Sequence, residues 1–390
     1  MDIIIFGATG SIGQNALEVI RSQSKNHSLQ VRAITGNDNI DQLCKDAIEF
    51  KVERVVTASH KHMPELKDRL SSHGIEVCAG TDAILETAQM KSDWILSAII
   101  GFHGVPPTLE AIKYCRTVAI ANKESLVCAG KIANDTAKMY GTTLLPVDSE
   151  HNAIFQCLQG EDISTVRKVT LTASGGPFLN CSLREMENAT LDQALAHPTW
   201  SMGKRISIDS ATMFNKALEL IEAKYFFNLN GNQLDVIIHP ESIIHSMVSF
   251  HDNSTLAQLG PHDMKYAIAY TMNYPDRKSM PLSEIDFATQ AKLTFQAVDH
   301  SKFPALRLAR WILKTDGGLG AVFNAAKEVA LDRFISGEIG FLDMSRLVEK
   351  VLMMPDITKL EYKIPESLDE VKNINSWTRQ ITNEIKLNSN

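Results

Sequence analysis

No apolar run in the 390-residue sequence approaches the roughly 18 residues that a membrane-spanning helix needs. A helical membrane protein is therefore excluded at this level. Cysteine is sparse: six residues stand at 44, 78, 115, 128, 157 and 181, never closer than 13 apart. That spacing makes neither a zinc knuckle nor a redox CxxC, and it predicts six reduced thiols. Positive charge is also short, with 39 Lys and Arg against 46 Asp and Glu, a formal −7. A mildly acidic chain without a basic block has no electrostatic reason to seek nucleic acid or anionic lipid, so any positive site must be local. Met1 to Phe6 carries no basic leader and enters a strand at once, which predicts no signal peptide and a cytoplasmic protein. Internal repeats and low-complexity segments are missing too.

What is present is ordinary globular usage, 44% hydrophobic and 22% charged, at a length that predicts two or three domains. Up to about residue 150, short β-rich runs alternate with amphipathic stretches such as 14–22 and 40–50. The runs are 3–6, 31–35, 54–57, 75–78, 94–100, 117–121 and 142–147. Buried strands alternating with helices predict a doubly wound, parallel, Rossmann-like sheet over residues 1–149. From 150 to 274 the texture changes to an α+β domain. Strand-like runs fall at 168–173, 236–239, 246–250 and 255–259, with a hairpin turn at 251–254 and one strong helix over 211–227. Residues 275–300, with Pro275 and Pro281, read as a linker, and 301–390 as a C-terminal helical domain broken at Gly317-Gly318, 337–340 and Pro355.

The first strand runs into Gly7-Ala8-Thr9-Gly10-Ser11-Ile12-Gly13 and then a helix. Glycines at such a turn let the backbone approach a pyrophosphate, which the helix N-terminus then holds. The second strand ends Gly36-Asn37-Asp38-Asn39. An NAD enzyme usually places a carboxylate at that strand end, and here it is delayed to Asp38. NADP is therefore favoured, although no Arg or Lys follows Gly36.

Strand 142–147 delivers Asp148-Ser149-Glu150, before a helix expected to start near His151. In an extended segment residues two apart share a face, so Asp148 and Glu150 converge. On the helix 211–227, Asn215, Glu219 and Glu222 form one stripe with Lys216 beside it, opposite Met213, Ala217, Leu220 and Ile221. Asp148, Glu150 and Glu219 would together make a hard oxygen site for Mg²⁺ or Mn²⁺. Taken alone, the helix fits a solvated polar face with i,i+3 pairs better.

Ser174-Gly175-Gly176 ends a strand in a turn that exposes N–H groups and a hydroxyl, and Asp209-Ser210 precedes the long helix. Ser174, Ser210, Asn215 and Lys216 thus form a candidate phosphate cradle, each with a duller role as turn former or cap. Residues 197–204, with His197, Trp200 and Gly203, read as a loop that packs or closes over a ligand. Lys123, at another strand end, is placed to orient a polar substrate. His239 and His245 flank a strand–loop junction, and each alone fits a structural role.

Six segments, taken in order, closely resemble the 1-deoxy-D-xylulose 5-phosphate reductoisomerase family. They are GATGSIG (7–13), AIANKESLV (119–127), LLPVDSEHNAIFQCLQG (144–160), LTASGGPF (171–178), HPTWSMGKRISIDSATMFNKALELIEA (197–223) and HPESIIHSMV (239–248). The resemblance implies rearrangement and NADPH reduction of 1-deoxy-D-xylulose 5-phosphate to 2-C-methyl-D-erythritol 4-phosphate, in non-mevalonate isoprenoid biosynthesis, by a homodimer. It implies that Asp148, Glu150 and Glu219 ligate Mg²⁺ or Mn²⁺, with Lys123 holding Glu150 and substrate oxygens. It places Ser149 and His197 beside the substrate, with Ser174, Ser210, Asn215 and Lys216 on its phosphate and Trp200 as the lid. Thr9, Gly10, Ser11, Ile12, Gly36, Asn37, Asn39, Asn122, Glu124, Gly203 and Met264 would line the cofactor.

Three departures stand out. The turn after Gly36 lacks the family's basic residue and is one residue longer, the family's Pro-Asp-Met reads Pro261-His262-Asp263-Met264, and Lys327 replaces the usual Asn. An ordinary NADP-dependent dehydrogenase of the semialdehyde or homoserine type would need no divalent metal. A silent dinucleotide sensor would bind cofactor without turnover.

Overall fold

The computed structural model describes residues 1–24, 28–200, 202–315 and 317–387; Ser201, inside the expected lid, lies outside the described residues. By compactness the chain divides into two units. The first comprises Met1–Ser125, Ala133–Asn152 and Asp263–Ser283, and the second Leu126–Ile132, Ala153–His262 and Glu284–Asn390.

The first unit is built on seven strands: β1 (Asp2–Phe6), β2 (Gln30–Gly36), β3 (Arg54–Thr57), β4 (Glu76–Ala79), β5 (Ser92–Ser97), β6 (Cys115–Ile120) and β7 (Thr143–Pro146). Between them run α1 (Ser11–Gln23), α2 (Ile40–Phe50), α3 (Met63–Leu70), α4 (Thr81–Ala88), α5 (Val105–Ala111) and α6 (Lys123–Tyr140), and α7 (Ser149–Cys157) follows β7. The strands are all parallel in the order β4-β3-β2-β1-β5-β6-β7. The order reverses beside β1, so β1 and β5 diverge into opposite halves, and the crevice at their C-terminal ends is where such sheets hold ligands. The core is the apolar strand run read in the sequence: Ile3, Ile5, Ile34, Val55, Trp94 and Leu96 are buried together. Among the strands of this unit the largest departure from the expected bounds is at the end of β5. β5 stops at Ser97, and Ala98–Ile100 leave the sheet toward Gly101, whose φ is +76°.

The second unit holds β8 (Val166–Ala173), α8 (Leu183–Glu187), α9 (Leu191–Leu195), α10 (Lys204–Ala211), α11 (Phe214–Phe227), β9 (Leu234–Ile238), β10 (Ile244–Phe250) and β11 (Thr255–Leu259). Past α12 (Lys265–Asn273), which packs on the first unit's core, the helices are α13 (Phe287–Gln290), α14 (Pro304–Thr315), α15 (Leu319–Ile335), α16 (Phe341–Leu352), α17 (Pro355–Thr358) and α18 (Leu368–Glu384). The four strands lie in the order β11-β10-β8-β9, with β8 and β9 parallel and the other pairs antiparallel. The turn at 251–254 closes the expected β10–β11 hairpin. Within 275–300, Gln296 exchanges two backbone hydrogen bonds with Ile238, at 2.9 and 3.0 Å, extending the β9 edge. α15 is buried nearly all round, with Phe323 against Phe214 at 5.7 Å between ring centroids. A helix apolar on every face belongs inside a core.

The helix expected over 211–227 is two helices. α10 ends at Ala211, and Met213, at φ 61°, ψ 11°, interrupts before α11 starts at Phe214. The Met213 N–H donates to Ser210 O at 3.1 Å, and Thr212 Oγ1 caps the break by donating to Ile208 O at 2.9 Å. Ser210 is therefore the last turn of α10 rather than the cap of the next helix. Among the described residues no helix is long and apolar enough to cross a membrane, and all six cysteines are free thiols.

Candidate active site

In the first unit the turn after β1 is drawn in by backbone. Gly7 N–H donates to Thr35 Oγ1 at 3.0 Å and Ala8 N–H to Thr35 O at 2.8 Å, so the ends of β1 and β2 are tied together. The glycines do different jobs. Gly7 sits at φ +79°, and a Cβ there would lie 2.6 Å from Ala98 O. A Cβ on Gly13 would meet Gly7 O at 2.4 Å, so Gly13 lets α1 pack onto the strand. Gly10 meets protein only at 3.4 Å. Its lack of a side chain thus keeps open the space over Thr9, Ser11 and Ile12, where α1 begins without a side-chain cap or an acidic first turn. That cradle fits an anionic pyrophosphate.

The other expected cofactor residues of this unit sit at neighbouring strand ends. Gly36 closes β2, where a Cβ would press on Leu43 at 3.1 Å and Thr9 at 3.2 Å. Asn39 Oδ1 caps α2 by accepting from Gln42 N–H at 3.2 Å, and Asn37 is exposed. Asn122 caps α6, and its Nδ2 donates to Ile99 O at 2.7 Å, Gly101 O at 3.0 Å and Glu124 Oε2 at 2.7 Å. The Asn122 amide is thus committed to the backbone that departs from β5. Sequence reasoning missed the carbonyls of Ile99 and Gly101; Gly104, where a Cβ would meet Asn122 Nδ2 at 2.7 Å, was the available signal. Met264 packs, half-buried, against the unit's core.

The carboxylates of this unit differ from the expectation in local structure. α7 starts at Ser149, so Asp148 precedes the helix and Glu150 lies in its first turn. Asp148 Oδ1 accepts from Glu150 N–H at 3.1 Å, the hydrogen bond of a helix cap, so the two side chains do not share the face of an extended strand. Both are nonetheless stabilised by the helix N-terminus. Lys123, buried at the start of α6, ion-pairs with Asp148. Ser149 Oγ donates to Glu150 Oε2 at 2.6 Å. Lys123, Asp148, Ser149 and Glu150 therefore form one polar cluster at the C-terminal edge of β6 and β7.

In the second unit the solvated-face alternative for α11 fails. Glu219 is 0% exposed, Glu222 1% and Lys216 4%. Lys216 Nζ donates to Glu219 Oε2 and Asn215 Nδ2 to Glu219 Oε1, each at 2.5 Å. A charge this deep needs partners. The Ser-Gly-Gly turn holds Gly175 and Gly176 at φ +91° and +66°, and a Cβ on Gly176 would lie 3.2 Å from Ser210 O. Ser174 and Ser210 are thereby brought to adjoining backbone segments. Ser174 Oγ lies 2.9 Å from His197 Nε2, and His197 Nδ1 accepts from Thr199 N–H at 3.1 Å and Trp200 N–H at 2.9 Å. Burial pushes the His197 imidazolium below its ordinary range, favouring the neutral ring. A cavity runs beside these groups, bounded by Ser174, Gly176, Pro198 and Thr199.

Trp200 packs edge-on against His262 at 5.4 Å and lies 6.3 Å from His245, so His245 and the departing residue His262 both flank its ring. Gly203 caps α10, with open space where a Cβ would be. His239 is structural: Nδ1 meets Thr294 O at 2.9 Å and Nε2 accepts from Ile243 and Ile244 N–H. The departing Lys327 is buried and donates to Asp209 Oδ2 at 2.9 Å, beside Ser210.

Residues 3–130 match the model for 1-deoxy-D-xylulose 5-phosphate reductoisomerase, 144–227 that for its C-terminal domain, and 259–381 that for the DXP reductoisomerase C-terminal domain. A 1-deoxy-D-xylulose 5-phosphate reductoisomerase of Cereibacter sphaeroides is 47% identical over 380 residues, 97% of this chain and 96% of the relative. One from Sinorhizobium fredii is 50% identical over 350 residues, 90% of each. Among solved structures, the Zymomonas mobilis enzyme in complex with NADPH is 42% identical, with a TM-score of 0.89, over 98% of this chain and 97% of that one. A DOX-P reductoisomerase in complex with NADPH, fosmidomycin and magnesium is 36% identical, with a TM-score of 0.93, over 98% of both chains. On family models that together span most of its length and relatives matched nearly end to end, this chain belongs to the 1-deoxy-D-xylulose 5-phosphate reductoisomerase family.

Proposed function

We propose that the chain converts 1-deoxy-D-xylulose 5-phosphate to 2-C-methyl-D-erythritol 4-phosphate, using NADPH and a divalent metal, in the non-mevalonate route to isoprenoids. The observation that carries this reading is Glu219, wholly buried yet met on one oxygen by the Lys216 ammonium and on the other by the Asn215 amide. With Asp148 and Glu150, which the family resemblance joins to it, its donor chemistry suits a hard cation such as Mg²⁺ or Mn²⁺. When bound, the metal supplies Lewis-acid polarisation of the substrate carbonyl for the carbon-skeleton rearrangement, and NADPH supplies the hydride for the reduction that follows.

The chain's own residues do the rest by positioning. Lys123 pairs with Asp148 and stands ready for a substrate oxygen. Ser149 orients Glu150 through its hydroxyl and faces the substrate. With Nδ1 of His197 accepting from backbone, its Nε2–H donates to Ser174 Oγ, which also accepts from Gly176 N–H at 3.2 Å. The Ser174 proton is then directed outward, toward a phosphate oxygen. Ser210, Asn215 and Lys216 complete the phosphate cradle, and Trp200 covers it, excluding water. Residues 1–149 hold NADPH through Thr9, Gly10, Ser11, Ile12, Gly36, Asn37, Asn39, Asn122 and Glu124, joined by Gly203 and Met264. The family resemblance further supports a homodimer, and six free thiols support a cytoplasmic location.

The test is nicotinamide oxidation by the purified chain with 1-deoxy-D-xylulose 5-phosphate, run with Mn²⁺ and with chelator. Turnover that vanishes on chelation and returns with metal is expected. Turnover that survives chelation refutes the metal assignment, and none under any condition refutes the reaction.

A further inference from the structure

Gly36 closes β2 and is followed by Asn37, Asp38 and Asn39, a turn without a cation. The delayed carboxylate permits NADP, but the turn itself supplies no cation to pair with a 2′-phosphate. The next strand changes that balance. β3 runs parallel to β2 with Gly36 opposite Thr57, so the residues leaving β3 lie beside those leaving β2. Ala58 N–H donates to Gly36 O at 2.9 Å and Thr57 Oγ1 to Asn37 O at 3.0 Å, locking the two exits together.

The turn after β3 then brings two basic side chains onto one carboxylate oxygen. Lys61 Nζ lies 3.3 Å and His62 Nε2 3.1 Å from Asp38 Oδ1. Asn37 Nδ2 donates to Oδ2 at 2.7 Å. His62 first and Lys61 second hold the Asp38 carboxyl below its usual range. His60 takes no part, because its ring lies where a Cβ on Gly80 would be.

We propose that Lys61, with Asn37 beside it and His62 behind it, reads the adenosine 2′-phosphate in this chain, in place of a basic residue directly after Gly36. The proposal rests on the NADPH reading above and supplies the origin of its specificity. Lys61 and Asp38 are 69% and 62% exposed, so their pair is worth little and exchanges readily. His62, only 20% exposed, is held from the protein side and stays on Asp38. Lys61 is then released toward a doubly charged phosphate, which rewards it with charge-assisted hydrogen bonds that a 2′-hydroxyl cannot match. The Asn37 amide, which spends one N–H on Asp38 Oδ2, has its second N–H for another phosphate oxygen.

The experiment titrates the full chain with NADPH and NADH by nicotinamide fluorescence, and with 2′,5′-ADP and 5′-AMP by calorimetry, for wild type, Lys61→Ala and Lys61→Arg. Wild type is expected to prefer the 2′-phosphorylated member of each pair. Lys61→Ala should weaken NADPH and 2′,5′-ADP by about tenfold, the scale of one charge-assisted contact, and leave NADH and 5′-AMP unchanged. Lys61→Arg should restore the preference. A Lys61→Ala protein that keeps the wild-type preference overturns the proposal while leaving the NADPH reading intact. A wild type that binds both members of each pair alike overturns the NADPH reading and the proposal together.

Discussion

His197 and Ser174 meet at 2.9 Å between Nε2 and Oγ, and the other ring nitrogen sets the direction of that hydrogen bond. Nδ1 accepts from the backbone N–H groups of Thr199 and Trp200, so Nε2 carries the proton and donates to Ser174. One neutral imidazole thus holds the backbone of Thr199 and Trp200 with one edge and aims the Ser174 hydroxyl with the other.

Acid should undo that arrangement. Burial depresses the His197 value below its ordinary 6.5, so the neutral ring's contribution is complete above about 6.5 and is lost as pH falls through the folded value. Protonation fills Nδ1 and expels the two N–H donors. The KM for the sugar phosphate should rise on the acid side, and His197→Asn, whose Oδ1 accepts without titrating, should flatten that limb. A limb of unchanged steepness in His197→Asn assigns it to another group.

Replacing Glu219 by Gln keeps the shape but removes the charge and turns one of its two accepting oxygens into an N–H donor. Direct Mn²⁺ titration should show affinity falling by more than the roughly 10–100-fold that loss of an outer-shell partner costs. Full metal affinity in Glu219→Gln would remove it from the ligand set.

Lys216→Ala leaves the 0%-exposed Glu219 with one fewer compensating charge. Urea unfolding should register a loss of about 3–5 kcal/mol, the usual cost of breaking a buried pair from one side. Adding Glu219→Gln to that background should recover part of the loss, and strict additivity of the two changes would mean that the pair is not coupled.

Gly13→Ala and Gly10→Ala separate packing from ligand approach. The first sets a Cβ 2.4 Å from Gly7 O and should destabilise the chain by about 1–3 kcal/mol, as overpacking does. The second meets protein only at 3.4 Å, so stability should hold within about 0.5 kcal/mol while NADPH binding weakens. Equal nucleotide affinity in wild type and Gly10→Ala would place the pyrophosphate elsewhere.

Most strands were legible because they are short buried runs whose apolar character is local. Ile3–Phe6, Arg54–Thr57 and Thr255–Leu259 fall within a residue of their observed bounds. The break at Met213 was not, since no glycine or proline marks it; the N–H of the left-handed residue is held by Ser210 O. The start of α7 was missed by two residues because Asp148, read only as a ligand, also caps the helix.

Chain order alone determined the alternation of strands and helices, the glycine turn after β1 and the candidate carboxylates, for each is a pattern among residues close in sequence. Only the tertiary structure decided that Glu219 is buried rather than solvated, that Ser174 is aimed by His197, and that Asp38 is met by Lys61 and His62. These depend on which distant segments a side chain faces. Periodicity along one element describes its faces, whereas desolvation and charge pairing are set by whatever the fold lays against them.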